Sequence, residues 1–250
     1  MKNILFTLPL LAAVLAAPAP ELATERPERC GPTSNCEAVV EDGSIVYRFK
    51  LGMEPGSEDY KSRFSGLSKR DSTTTDVILG KTQIDYGCDA SIRKTLNGAI
   101  EKLCTESGCD GGSDYSRDVD WTDGGGAPVP TGIKVTVEGA WHAKNSKEAY
   151  NDAVMATVNP KSAVPEERRW RQNGFQGDVV GICKMSKFPN YIHISRFNGN
   201  NMQDEIIINV ELEKNEDLCL ATSVLGAVAG AVNGVAGGFF GVASAVCGSG

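Results

Sequence analysis

The tail of the chain, Leu218 to Gly250, constrains its folding most. It carries no charge, and Gly226, Gly230, Gly234 and Gly238 recur at every fourth position. On a helix, positions i and i+4 share a face, so these glycines line one smooth groove. Val228, Val232, Val235, Phe239, Val242 and Val246 form an apolar stripe beside it. Ladders of small residues let a second backbone approach closely, as in helices that pack within membranes. Each glycine costs a helix in water about 1 kcal/mol relative to alanine, so something outside the helix must stabilise it: a protein core, a second helix or a bilayer. Cys219 and Cys247 bracket the stretch. On one straight helix they stand about 42 Å apart, whereas a disulfide needs Cα atoms about 4.4–6.8 Å apart. The tail is therefore either a helical hairpin closed by Cys219–Cys247, broken at Asn233-Gly234 or Gly237-Gly238, or each cysteine bonds elsewhere. A buried core element, a membrane-inserting segment and a removed lipid-anchor signal stay open as its role. Two cysteines and the polar Asn233 argue against the last.

At the other end, Met1 to about Ala17 has one early lysine, a Leu/Ala-rich core and small residues before Pro18. This pattern predicts a secretory signal peptide, too short to span a membrane. Eight cysteines in a secreted chain imply disulfides. No pair is spaced C-x-x-C and the only histidines are His142 and His193, so neither a metal nor any other cofactor is expected. Pro18 to Arg70 is rich in Pro, Glu, Arg and Ser and ends in the basic pair Lys69-Arg70, the pattern cut by dibasic proteases of the secretory pathway. Residues 18–70 are accordingly expected to be a propeptide carrying its own small loop, Cys30–Cys36. The remaining cysteines, Cys88, Cys104, Cys109, Cys183, Cys219 and Cys247, allow about 15 connectivities. A second basic pair, Arg168-Arg169, is either an uncut arginine-rich loop or a further cleavage site. Cutting there leaves three cysteines on each side and requires an interchain bridge for full pairing.

The formal charge is −7. The first seventy residues balance, so the acidity belongs to the rest, and nucleic acid is not expected as a partner. Within residues 71–217, Val77–Leu79 and Thr82–Tyr86 around Gly80-Lys81 read as a hairpin. Asp89 or Ser91 then caps a helix with Ile92, Leu96, Ile100 and Leu103 on one face. That helix separates Cys88 from Cys104, so Cys104 with Cys109, or either with Cys183, fits better than a direct Cys88–Cys104 bond. Asp110 to Pro130 reads as a long Gly/Asp loop whose acids do not match a calcium-binding spacing. Ile133, Val135 and Val137 alternate as a strand, and a helix capped by Asn145 or Ser146 buries Tyr150, Val154 and Val158. Strands follow at 179–185, 191–197 and 205–212. The expected architecture is α+β: an antiparallel sheet of about five strands covered by two amphipathic helices, with the glycine-rich helix or helical hairpin at residues 218–250.

Glu138, His142, His193 and Arg196 are the one set resembling an acid/base pair with a cation. Alternation puts Arg196 on the opposite strand face from His193, and no nucleophile elbow or phosphate loop is present, so no catalytic residue is assigned and an enzyme is not expected. The layout of signal peptide, propeptide ending at Lys69-Arg70, second basic pair at Arg168-Arg169, even cysteine count and small body resembles secreted fungal killer toxins and cysteine-containing effectors. Some two-chain killer toxins also carry a hydrophobic helix like Leu218–Cys247. The resemblance implies an extracellular toxin or virulence effector that binds a component of a host or competitor cell, with a membrane reached through the tail as one candidate. A secreted hydrolase such as a ribonuclease and a wall or surface-anchored structural protein are the alternatives.

Overall fold

Alternation of apolar and polar residues runs through far more of this chain than helical periodicity does. In the computed structural model, which describes residues 29–41, 44–64, 73–142, 146–174, 177–212, 218–219 and 242–245, 53% of the described residues are in strands and 18% in helices. The N-terminal segment contributes β1 (Cys36–Glu41), β2 (Ser44–Phe49) and α1 (Glu58–Phe64). The body follows with β3 (Thr73–Leu79), β4 (Thr82–Asp85), α2 (Ile92–Leu103), β5 (Cys104–Thr105), β6 (Gly108–Cys109), β7 (Asp114–Trp121), β8 (Val129–Trp141) and α3 (Ser146–Thr157). It continues through β9 (Val164–Gln172), β10 (Val179–Pro189), β11 (Tyr191–Asn198), β12 (Asn201–Leu212), β13 (Leu218–Cys219) and β14 (Val242–Ala245).

These strands form three sheets: the β1-β2 ribbon, a four-stranded sheet β13-β4-β10-β9, and an eight-stranded sheet ordered β14-β3-β11-β12-β8-β6-β5 with β7 also on β8. The fold is thus mostly β, which corrects the expected α+β class with five strands under two helices. The helices at 92–103 and 146–157 do form where expected, with Ser91 Oγ accepting from the Lys94 N–H at the start of α2. Two segments expected as loops are strands instead. β7 alternates partly buried Tyr115, Arg117, Val119 and Trp121 with exposed residues, and β9 pairs with β10 along its whole length.

The expected hairpin over 77–86 is also replaced. β3 pairs with β11 and β4 with β10, so the two belong to different sheets. Gly80-Lys81 is a corner, matched by Asn190 between the antiparallel partners β10 and β11; the Gly80 N–H bonds to the Tyr191 carbonyl and the Asn190 N–H to the Thr82 carbonyl. Nonlocal partners outcompeted the local turn there. Where the tail is described it is strand rather than helix, β13 pairing with β4 and β14 lying parallel to β3. Glycines penalise a helix, and the edge of β3 offers Val242–Ala245 a full set of backbone partners. Gly226, Gly230, Gly234, Gly238, Val228, Val232 and Phe239 lie outside the described residues, as do Cys247, residues 1–28 and the Lys69-Arg70 pair.

One face of the large sheet carries the main core. Ile133, Val135, Val137, Ile206, Ile208 and Val210 pack beneath Leu96, Ile100, Tyr150 and Val154 of α2 and α3. Each such burial contributes about 1.5–3 kcal/mol. The opposite face is covered by the N-terminal segment. Cys36, Tyr47 and Phe49 pack on Phe197 and Met202, and Val46 packs on Ile78, Tyr191 and Ile207. Asn35, fully buried, donates from Nδ2 to the Met202 carbonyl at 2.7 Å and accepts from the Met202 N–H at 2.9 Å, acting as a surrogate strand residue.

Three disulfides close: Cys30–Cys36, Cys88–Cys183 and Cys104–Cys109. Since residues 1–70 contain no cysteine besides Cys30 and Cys36, no disulfide joins the N-terminal segment to the rest of the chain.

Candidate functional site

The N-terminal segment does not cover a plain apolar face. Register places Asp76, Ser195, Glu205 and Ala140 in one row across β3, β11, β12 and β8, and Ile78, His193, Ile207 and Glu138 in the next. Strand alternation sends both rows to the outer face, away from the helices. His193 is fully buried there, its Nε2 3.3 Å from Glu205 Oε2. The contact lacks hydrogen-bond alignment, and neither ring nitrogen has a hydrogen-bond partner among the described residues.

Two arginines of the N-terminal segment enter this acidic face. Arg48 of β2 donates from Nη2 to Glu138 Oε1 at 2.6 Å, its Nε lies 3.8 Å from Glu205 Oε2, and its Nη1 meets Glu41 of β1 at 3.1 Å. Burial lowers the affinity of Arg48 for its proton, but the carboxylates of Glu205, Glu138 and Glu41 outweigh this and hold it above the ordinary arginine value. Arg29 lies 3.6 Å from Asp76 Oδ2, donates to Thr74 Oγ1, and sets its guanidinium carbon 4.5 Å from the centre of the Phe197 ring. Two clefts of about 430 Å³ open on this face, one lined by Glu54, Glu138 and Glu205, the other by Glu41, Arg48, Tyr191 and Asn209. In the second, the Tyr191 hydroxyl donates to Glu41 at 2.8 Å; burial first, then that carboxylate, pushes the tyrosine far up.

The four residues singled out from the sequence are divided. Glu138 and His193 share the covered face, two strands apart. Arg196 lies on the opposite face, as alternation predicts, paired with the fully buried Asp204. His142 is exposed beyond the end of β8, its backbone N–H held by Asp204 and its ring 5.5 Å from that of Tyr60 in α1. Glu205 and Asp76 were missed as site residues. Their signal was the second face of β12 and β3, where Glu205-Ile207-Asn209 alternates against Ile206 and Ile208. Among the described residues, no group of three or more His, Cys, Asp or Glu is arranged to hold a metal ion, and no helix is long and apolar enough to cross a membrane.

The Arg168-Arg169 pair lies within β9, not in a loop. The Arg168 side chain is 9% exposed, 2.8 Å from Glu166, 3.5 Å from Asp85, bonded to the Thr122 carbonyl at 2.9 Å and stacked over Trp121. A protease that takes both arginines into its own subsites can reach Arg168 only after β9 leaves β10. Burial raises the Glu166 carboxyl, but Lys187 and Arg168 outweigh this and hold it below the ordinary 4.5. Because its folded value is depressed, its stabilisation is present above about pH 4.5 and lost as pH falls through the folded value. Glu166→Gln is therefore expected to destabilise by roughly 1 kcal/mol at pH 7, with a deficit that shrinks below pH 4.5 in urea titrations. A deficit unchanged at acid pH excludes this origin. Beside the pair, Trp170, Val180 and Ile182 line an apolar groove of about 620 Å³.

No protein-family model, curated protein or solved structure matches the chain. The functional argument therefore rests on the site itself.

Proposed function

We propose that the chain is the secreted precursor of a non-enzymatic, disulfide-stabilised toxin or effector, and that its N-terminal segment masks the face with which the mature body binds a target-cell component. The observation that carries this reading is the coverage of one charged sheet face by residues 29–64, a segment tied to the body by no disulfide and followed by the basic pair Lys69-Arg70. Cutting after Arg70 turns that coverage into a noncovalent complex that can dissociate. Three disulfides suit an oxidising, extracellular compartment. The apolar groove beside Trp170 is present before and after such a cut, so it does not explain why a precursor is made. A hydrolase reading has one foothold on the same face, His193 against Glu205, since a buried acid–base pair released to solvent could transfer protons.

The test is to cut the full chain with a dibasic-specific convertase and compare it with an uncuttable Lys69→Ala/Arg70→Ala variant. Fluorescently labelled protein is applied to fungal, plant and bacterial cells. The cut protein is expected to release the N-terminal segment and to bind at least one cell type that the uncut variant ignores. Equal binding by both forms refutes masking. RNA cleavage by the cut protein that His193→Ala abolishes transfers the case to the hydrolase reading.

A further inference from the structure

We propose that the masked face is a receptor for an arginine-bearing polypeptide segment, and that Arg48 and Arg29 occupy its two guanidinium subsites as built-in pseudo-ligands; this rests on the masking reading above. The first subsite is Glu138 with Glu205, and the second is Asp76 with Thr74 and the Phe197 ring. Without the N-terminal segment, this patch presents three carboxylates and one histidine that has no hydrogen-bond partner of its own. An acidic, partly aromatic surface of that composition demands cations. The contacts made to it suit arginine: two different guanidinium nitrogens set towards Glu138 and Glu205, a hydroxyl acceptor, and a ring face beneath a guanidinium. Lysine offers a point charge and reproduces the first contact only.

The spacing also selects the ligand. The carboxylates of the two subsites lie on β3 (Asp76) and on β12 and β8 (Glu205, Glu138), two to three strands apart, which is about 10–14 Å at about 4.8 Å per strand. An extended peptide advances about 3.3 Å per residue and turns every second side chain to the same face, so two arginines four positions apart, about 13 Å, span the subsites. Arg29 and Arg48 reach the same two points from distant parts of the N-terminal segment, held together by the Asn35 bonds to Met202.

The probe is a labelled hexapeptide with two arginines four positions apart, followed by fluorescence anisotropy. It is expected to ignore the uncut wild-type chain and to bind both the convertase-cut chain and an uncut Arg29→Ala/Arg48→Ala variant. Replacing both arginines of the peptide by lysine, or introducing Glu138→Gln/Glu205→Gln, is expected to weaken binding at least about tenfold. Failure of the peptide to bind the uncut Arg29→Ala/Arg48→Ala variant and the cut chain overturns the receptor, as does equal binding of the lysine peptide. Binding to the uncut double variant but not to the cut chain upholds the receptor and overturns release of the mask. If the double variant does not fold, the cut chain with and without Glu138→Gln/Glu205→Gln decides.

Discussion

Replacing Arg196 with methionine is expected to destabilise the protein by about 3–5 kcal/mol at neutral pH, because it strands a buried carboxylate. Arg196 and Asp204 face each other with side chains 8% and 0% exposed, so little solvent is available to take over for a lost partner. Asp204 also accepts the backbone N–H of His142, which ties the end of β8 to β12. Burial pushes the Asp204 carboxyl up, and Arg196 opposes that push. Without Arg196 the carboxyl rises further and takes up a proton more readily, which limits the damage in acid. The deficit of Arg196→Met should therefore shrink as pH is lowered from 7 towards 5. Asp204→Asn strands the opposite charge. A guanidinium cannot discharge itself, so that deficit should stay level over the same range even though asparagine can still accept from His142. Urea denaturation of both variants at several pH values separates the two cases. Parallel pH curves would mean that packing, rather than an unpaired charge, sets the cost.

Helices were legible where one face had to be apolar. Ile92, Leu96, Ile100 and Leu103 specify α2, and the serine before them supplies its cap. Strands with a continuous apolar row, such as Ile206, Ile208, Val210 and Leu212 of β12, were equally readable. β7 and β9 were not, because each lies largely exposed and offers solvent the polar residues that elsewhere mark a loop. The β3-β4 corner misled for a different reason. Gly80-Lys81 has good hairpin chemistry, but partner choice is decided by β10 and β11, more than a hundred residues away.

The same distance hid most of the site. His193 and Glu138 could be chosen from alternation, yet their company could not. Arg48 contacts Glu138 across 90 positions and Asn35 contacts Met202 across 167. Within a Pro/Glu/Arg-rich stretch only the run Ile45-Val46-Tyr47-Arg48-Phe49 reads as a strand, and nothing local announces that it will close over a sheet. What local chemistry does show is the basic pair Lys69-Arg70, which the masking proposal takes as a cut site, and the two observations gain meaning together. Under that proposal the segment needs no disulfide to the body, and it has none. Masking also requires contacts that hold the segment in place before any cut, which the Asn35 bonds, the buried Arg29 side chain and the half-buried Arg48 supply.

Loss of the Cys88–Cys183 bridge is expected to cost far more than loss of Cys104–Cys109. The first joins residues 95 positions apart and the second residues 5 apart. In the chain-entropy account, these loops restrict the unfolded chain by about 4.7 and about 2 kcal/mol. Local structure widens the gap. Cys104 and Cys109 already face each other across the β5-β6 pair, whose inner strand β6 is held by β8. Cys88 leaves β4 just before α2, while Cys183 sits in the middle of β10, so their bond fastens the four-stranded sheet to the start of the helical layer. Cys88→Ala/Cys183→Ala should therefore lower the urea midpoint strongly, and Cys104→Ala/Cys109→Ala should lower it by less than half as much. Removing Cys30–Cys36 should leave the body's unfolding nearly unchanged and instead loosen the N-terminal segment, seen as faster release after cutting at Arg70. Equal losses from the two body bridges would contradict the loop-length argument. A lower body midpoint on losing Cys30–Cys36 would mean that the segment is part of the folded core, not a cover laid over it.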